Sequence, residues 1–129
     1  AVAAVADWRI KNISTNKIKK DGSSAPMLEF EANPDILATV ASQHTRPWCV
    51  GFAAETENLA EYAHAKRLRK GIPMLIGNLA QHVMDAEHTT VSIFDDQGEH
   101  ALPLGSKQDI ARQLITAISE RFNQSHHSR

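Results

Sequence analysis

Hydrophobic positions along this chain form short continuous runs and stripes at helical spacing, and the two alternate. The runs are "AVAAVADW", "MLEFE", "RPWCVGFAAE" and "PMLIGN". "RPWCVGFAAE" and "PMLIGN" carry no polar alternation, which predicts strands buried on both faces, as in a parallel sheet. "NPDILATVASQ" predicts a helix with Asn33 as its cap, Pro34 at its first position and Asp35 beside the positive dipole end. "NLAEYAHAKRLRK" sets Leu59, Tyr62, Ala63 and Leu68 on or near one face and ends before Gly71, a residue suited to a left-handed C-terminal position. "TTVSIFDD" and "HALPL" flank Asp96, Gln97 and Gly98, which predict a hairpin turn. "SKQDIARQLITAISERF" has Ser106 as its cap and Ile110, Leu114, Ile118 and Phe122 as its stripe. "RIKNISTNKIKKDGSSAP" reads as a basic loop, and residues 123–129, "NQSHHSR", as a frayed, disordered tail.

Strand–helix–strand–helix–strand, then a hairpin and a last helix, predicts an α/β fold with helices on both faces of the sheet. No linker or repeat marks a second domain, so residues 1–129 read as one. Formal net charge is -1, which excludes a whole-protein basic field for nucleic acid and makes any anion site local. A lone cysteine, Cys49, excludes an internal disulfide and fits a reducing cytoplasm. No apolar run is long enough to span a bilayer, and "AVAAVA" lacks the basic flank of a signal peptide. The chain begins without methionine in a bare apolar run, which reads as a piece of a longer protein.

Candidate chemistry is sparse. The glycines form neither G-x-G-x-x-G nor a P-loop, and the histidines lack metal-ligand spacing. Cys49, between Trp48 and Val50, reads as an inert core residue. Asp7 follows an apolar run, where the carboxyl end of a strand would open on a ligand crevice. Lys17, Lys19 and Lys20 then form either a mobile lid over phosphates or simply a solvated loop. Phe52 could stack on a base or merely pack. Lys66 and Lys70 are four apart on one helical face, and the cations of this helix end, Arg67 and Arg69 included, complement the helix dipole by about 0.3–1 kcal/mol each.

Taken together, "AAVADWR", "NKIKK", "NPDIL", "RPWCVGFAAETENLAEYAHAKRLRKG" and "ALPLGSKQDIARQLITAISERF" resemble the phosphopantothenate–cysteine ligase domain of bacterial bifunctional coenzyme A biosynthesis flavoproteins. The resemblance runs over nearly the whole chain in family order. It implies a Rossmann-like, mostly parallel sheet with helices on both faces and a C-terminal β-hairpin plus helix. It implies a CTP-dependent acid–amino-acid ligase: the carboxylate of 4′-phosphopantothenate attacks CTP, and L-cysteine displaces CMP from the acyl-cytidylate. Mg²⁺ accompanies the nucleotide, and FMN belongs only to a fused upstream phosphopantothenoylcysteine decarboxylase domain. A cytoplasmic homodimer is implied, with no nucleic-acid or membrane partner and no metal ligand assigned.

The nucleotide contacts implied are Ala1, Val2, Ala3, Asp7, Lys17, Pro34, Asp35, Ile36, Leu37, Phe52, Lys66 and Lys70, with Lys17 as the catalytic residue. Two departures stand out. Asn78 is followed by "LAQHVMDAEHTT" where the family carries an Asn-Asp pair and a Gly/Phe loop, so no contact is carried over there. The family's Gly-rich loop and catalytic asparagine precede "AAVAD". The piece alone is therefore expected to lack ligase activity. The alternative reading is a non-catalytic nucleotide-binding or dimerisation module of the decarboxylase.

Overall fold

The computed structural model describes residues 5–19, 22, 27–55, 57–79 and 88–127. The described residues fall into two compact units, a smaller one ending at Ile36 and a larger one beginning at Leu37. The smaller unit is built on an antiparallel ribbon of β1 (Trp8–Ile10) and β2 (Phe30–Ala32), with Trp8 opposite Ala32 and Ile10 opposite Phe30. β1 thus takes up the start of the stretch read as loop, because Trp8, Arg9 and Ile10 alternate well enough to pair. Cross-strand ion pairs reinforce it: Arg9 Nε lies 2.6 Å from Glu31, and Lys11 Nζ lies 3.6 Å from Glu29.

The helix expected from Pro34 starts later: α1 is Ile36–Ala41. The cause lies at Asn33. Its side-chain amide donates to the Ala6 carbonyl at 2.6 Å, and its backbone N–H donates to the Asp7 carbonyl at 2.8 Å. The residue expected to cap the helix ties the ribbon instead, so Pro34 and Asp35 precede the first turn.

In the larger unit, β3 (Val50–Glu55), β4 (Met74–Leu79), β6 (Ser92–Asp95) and β7 (Gly98–Ala101) form one sheet in that order. Among the described residues, parallel pairing is confined to β3 and β4, and β6 and β7 add the expected hairpin antiparallel to β4. Two residues of β5 (His88–Thr89) pair with β8 (Gly105–Ser106) just ahead of α3 (Lys107–His127), a pairing too short to leave a sequence pattern. Ser106 caps α3 as expected, its Oγ accepting the Asp109 N–H at 3.2 Å. Helices do cover both faces. α1 and α2 (Leu59–Lys70) pack on the side of Ala53 and Leu75 through Leu37, Val40, Leu59 and Ala63. α3 packs on the other side, with Ile110 and Leu114 against Met74, Ile76 and Ile93. Gly77 lets α2 approach, since a Cβ there would lie 2.9 Å from Leu59 Cδ1 and 3.0 Å from Phe94 Cε2.

Two helix readings need correction. On α2 the buried line is Leu59, Ala63 and Arg67, spaced by four, while Tyr62 and Leu68 are exposed. Arg67 is therefore no simple dipole partner. It is only 4% exposed, and its Nη1 donates to Asp96 at 2.7 Å and to the Pro73 carbonyl at 3.3 Å. Its Nε is buried without a partner. Gly71 ends α2 at φ 62°, as expected. The tail does not fray at 123: α3 continues to His127, and the His126 and His127 rings meet the Phe122 and Asn123 carbonyls at 2.8 and 2.7 Å.

A buried carboxylate joins α3 to the hairpin. Asp95, 7% exposed, accepts from Arg121 Nε at 2.6 Å, from the Gln97 N–H at 2.8 Å and contacts His100 Nε2 at 3.0 Å. Burial alone would raise its pKa. The bonds from Arg121, Gln97 and His100, with the Arg121 charge, outweigh burial and hold it below the usual carboxylate value.

Candidate functional site

β3 is apolar to its last residue and parallel to β4, so both strands present their carboxyl ends at one edge of the larger unit. In open α/β sheets that edge is where ligands enter. Strand alternation then sorts the side chains. Phe52, Ile76 and Asn78 face α3, whereas Ala53, Glu55 and Gly77 face α2.

On the α3 side is a cavity of about 220 Å³. Among the described residues its walls include Ile76, Ile110 and Leu114, and the polar side chains lining it are Asn78 on β4 and Lys107 at the start of α3. Phe52 also lines it and remains 43% exposed, so its ring is available to a ligand.

On the α2 side, Lys66 lies about two turns into the helix, away from the end of β3. Side chains on a helix lean toward its N-terminus. Lys66 follows that lean, and its ammonium lies 3.5 Å from Glu55, the last residue of β3. This half-buried cation therefore stands at the strand's carboxyl end. Lys70 follows one turn later, roughly 6 Å farther along the axis, and is half-buried.

Phe52 and Lys66 thus occupy opposite faces of β3. Leu37 packs under Gly51 on the α2 side, where a Cβ would lie 3.1 Å from its Cδ2, so it is part of the core as well as a candidate. Asp7, Lys17, Pro34, Asp35 and Ile36 are exposed residues of the smaller unit. The Asp7 carbonyl is engaged by Asn33, and Asp7 leads directly into β1 of the antiparallel ribbon. Ala1, Val2 and Ala3 lie outside the described residues. Sequence reading missed Glu55 and Lys107 as site residues. Glu55 shows itself only through its pairing with Lys66, and Lys107 is one cation of an amphipathic helix until packing brings it to the cavity. Among the described residues, no three His, Cys, Asp or Glu side chains gather to hold a metal ion.

These features define a class, an open α/β domain with an aromatic, an amide and two cations at the carboxyl ends of its parallel strands. The family of DNA/pantothenate metabolism flavoprotein C-terminal domains matches residues 1–122, and the chain belongs to it. It is 37% identical over 127 residues to the coenzyme A biosynthesis bifunctional protein CoaBC of Vibrio cholerae, covering 95% of this chain and 32% of that protein. Identity to CoaBC of Escherichia coli K12 is 36% over 128 residues, again covering 95% of this chain and 32% of the relative. The chain thus spans about a third of the length of these relatives. The crystal structure of the C-terminal domain of CoaBC superposes with a TM-score of 0.69 at 29% identity, covering 95% of this chain and 53% of that one. No described helix is long and apolar enough to cross a membrane.

Proposed function

We propose that the chain serves coenzyme A biosynthesis as the C-terminal part of a CTP-dependent phosphopantothenate–cysteine ligase. The reading is carried by 36–37% identity to CoaBC proteins across 95% of the chain. The larger unit supports it chemically. Phe52 offers a ring for a pyrimidine to stack on, and Lys66 offers a cation to the phosphates from the end of β3. Lys17, in the basic loop, neutralises charge as it develops on the α-phosphorus while the 4′-phosphopantothenate carboxylate attacks and pyrophosphate leaves. L-Cysteine then displaces CMP and forms the amide. Mg²⁺, when bound, would accompany the nucleotide and supply charge neutralisation to its phosphates, in keeping with its preference for phosphates and few protein ligands.

The ribbon favours a homodimer. Trp8 (63% exposed) and Phe30 (60%) are large apolar side chains on a two-stranded ribbon, and Met27 (92%) lies three residues ahead of β2. A ribbon of that size is marginal on its own, and a second copy would cover it. The test uses a longer protein that includes the upstream half of the domain and the decarboxylase. Pyrophosphate release should require 4′-phosphopantothenate and CTP, and Lys17→Gln should abolish acyl-cytidylate formation. Undiminished turnover in Lys17→Gln would favour a non-catalytic nucleotide-binding or dimerisation module. Acyl-cytidylate made by the present chain alone would sink the expectation that it is inactive by itself. Light scattering tests the dimer.

A further inference from the structure

The cavity on the α3 side holds a cation that neither the sequence reading nor the family resemblance assigns. We propose that Lys107 determines base specificity, donating to the adjoining O2 and N3 acceptors of a cytosine stacked on Phe52. The inference rests on the reading of the chain as a CTP-binding domain.

The argument starts from the lining. Ile76, Ile110 and Leu114 are buried apolar side chains, so a polar atom of any occupant that turns to them loses its water without gaining a partner. Among the described lining side chains, only Asn78 and Lys107 carry polar groups that can meet the occupant's heteroatoms. A volume of about 220 Å³ admits a ring of pyrimidine size, and Phe52 supplies a flat apolar surface for it.

The two polar groups differ in what they can tell apart. An amide has a donor end and an acceptor end and can satisfy either pyrimidine by turning over. An ammonium has three donors and no acceptor. Cytosine presents two neighbouring acceptors, O2 and N3. Uracil carries a hydrogen on N3, which would face the ammonium and leave both donors opposed. Lys107, not Asn78, is thus the group that separates the bases. It sits in the first turn of α3, after the Ser106 cap has fixed the helix start through Asp109.

The experiment measures pyrophosphate release from CTP and UTP with the longer protein, its Lys107→Met and Lys107→Arg variants, and Phe52→Ala. Met keeps the apolar stem of the side chain and removes the donors. Lys107→Met should raise KM for CTP with kcat little changed and shrink the CTP over UTP preference in kcat/KM by about ten-fold or more, as expected for loss of a hydrogen-bonding discriminator. Lys107→Arg, which keeps donors, should restore part of that preference. An unchanged CTP to UTP ratio in Lys107→Met, or no preference in the parent protein, overturns the proposal. Phe52→Ala separates the two levels. If it raises KM for CTP while Lys107→Met leaves the ratio intact, only the role of Lys107 falls. If neither variant alters nucleotide kinetics, the placement of the base in this cavity falls as well.

Discussion

Replacing Asp95 by Asn tests the buried joint between α3 and the β6–β7 hairpin. The carboxylate meets Arg121 Nε at 2.6 Å, the Gln97 N–H at 2.8 Å and His100 Nε2 at 3.0 Å. Asn offers one acceptor and turns an N–H toward at least one of these groups. Breaking a buried charged pair costs about 3–5 kcal/mol. The Arg121 and His100 side chains keep 22% and 38% of their exposure and can partly rehydrate, which places the loss at the low end. About 3 kcal/mol, or a fall in Tm of about 10 °C for a chain of this size, is expected at pH 7.

The pH dependence has a definite sign. The folded-state pKa of Asp95 is depressed, so its contribution is complete above the unfolded carboxylate value, about 3.9, and is lost as pH falls through the folded value. Urea denaturation of both proteins from pH 7 to pH 3 reads this directly. The stability gap should stay level down to about pH 4 and then narrow. A gap below about 1 kcal/mol at pH 7 falls outside the range for a buried pair. Such a gap, or one that widens in acid, would refute the reasoning.

Two further substitutions probe the α2 side of the sheet. Gly77→Ala brings a Cβ to 2.9 Å from Leu59 Cδ1 and 3.0 Å from Phe94 Cε2, and thermal melts should show a loss of about 1–3 kcal/mol from overpacking. Arg67→Met removes a buried guanidinium whose Nε has no partner and whose ion-pair partner, Asp96, is largely exposed; since apolar replacements of buried ions are often neutral or better, urea midpoints should correspond to within about 1 kcal/mol of the parent.

What could be read from sequence depended on how local its cause was. β3, β4, the hairpin and α3 follow from runs and stripes that packing reinforces. Ser106 and Gly71 act within their own helix ends, so their roles were legible. Asn33 was misread because its amide is taken by the Ala6 carbonyl, a partner twenty-seven positions away. Arg67 was misread because cations near a helix end have a sufficient local explanation. The spacing of Leu59, Ala63 and Arg67 by four was a usable signal, and the exposed Tyr62 and Leu68 were the distractors. Phe52 and Lys66 came from resemblance, and periodicity alone would have left both as packing and solubility.

The two faces of β3 constrain any ligand that uses both Phe52 and Lys66. The strand separates the cavity side from the α2 side, so one molecule reaches both only by passing over the carboxyl end or along the edge of β3. Phe52 stands three residues before Glu55, roughly 10 Å along the strand. Ala53 and Ala54 lie between them and present no large side chain to obstruct such a path. Glu55 marks its end, with Lys66 already drawn to it at 3.5 Å. An anion arriving there meets the cation and its counter-ion together, so binding must either share Lys66 with Glu55 or displace it. A nucleotide suits this geometry because its base and its phosphates are chemically distinct ends of a flexible chain. A compact anion would engage Lys66 alone and leave Phe52 unused.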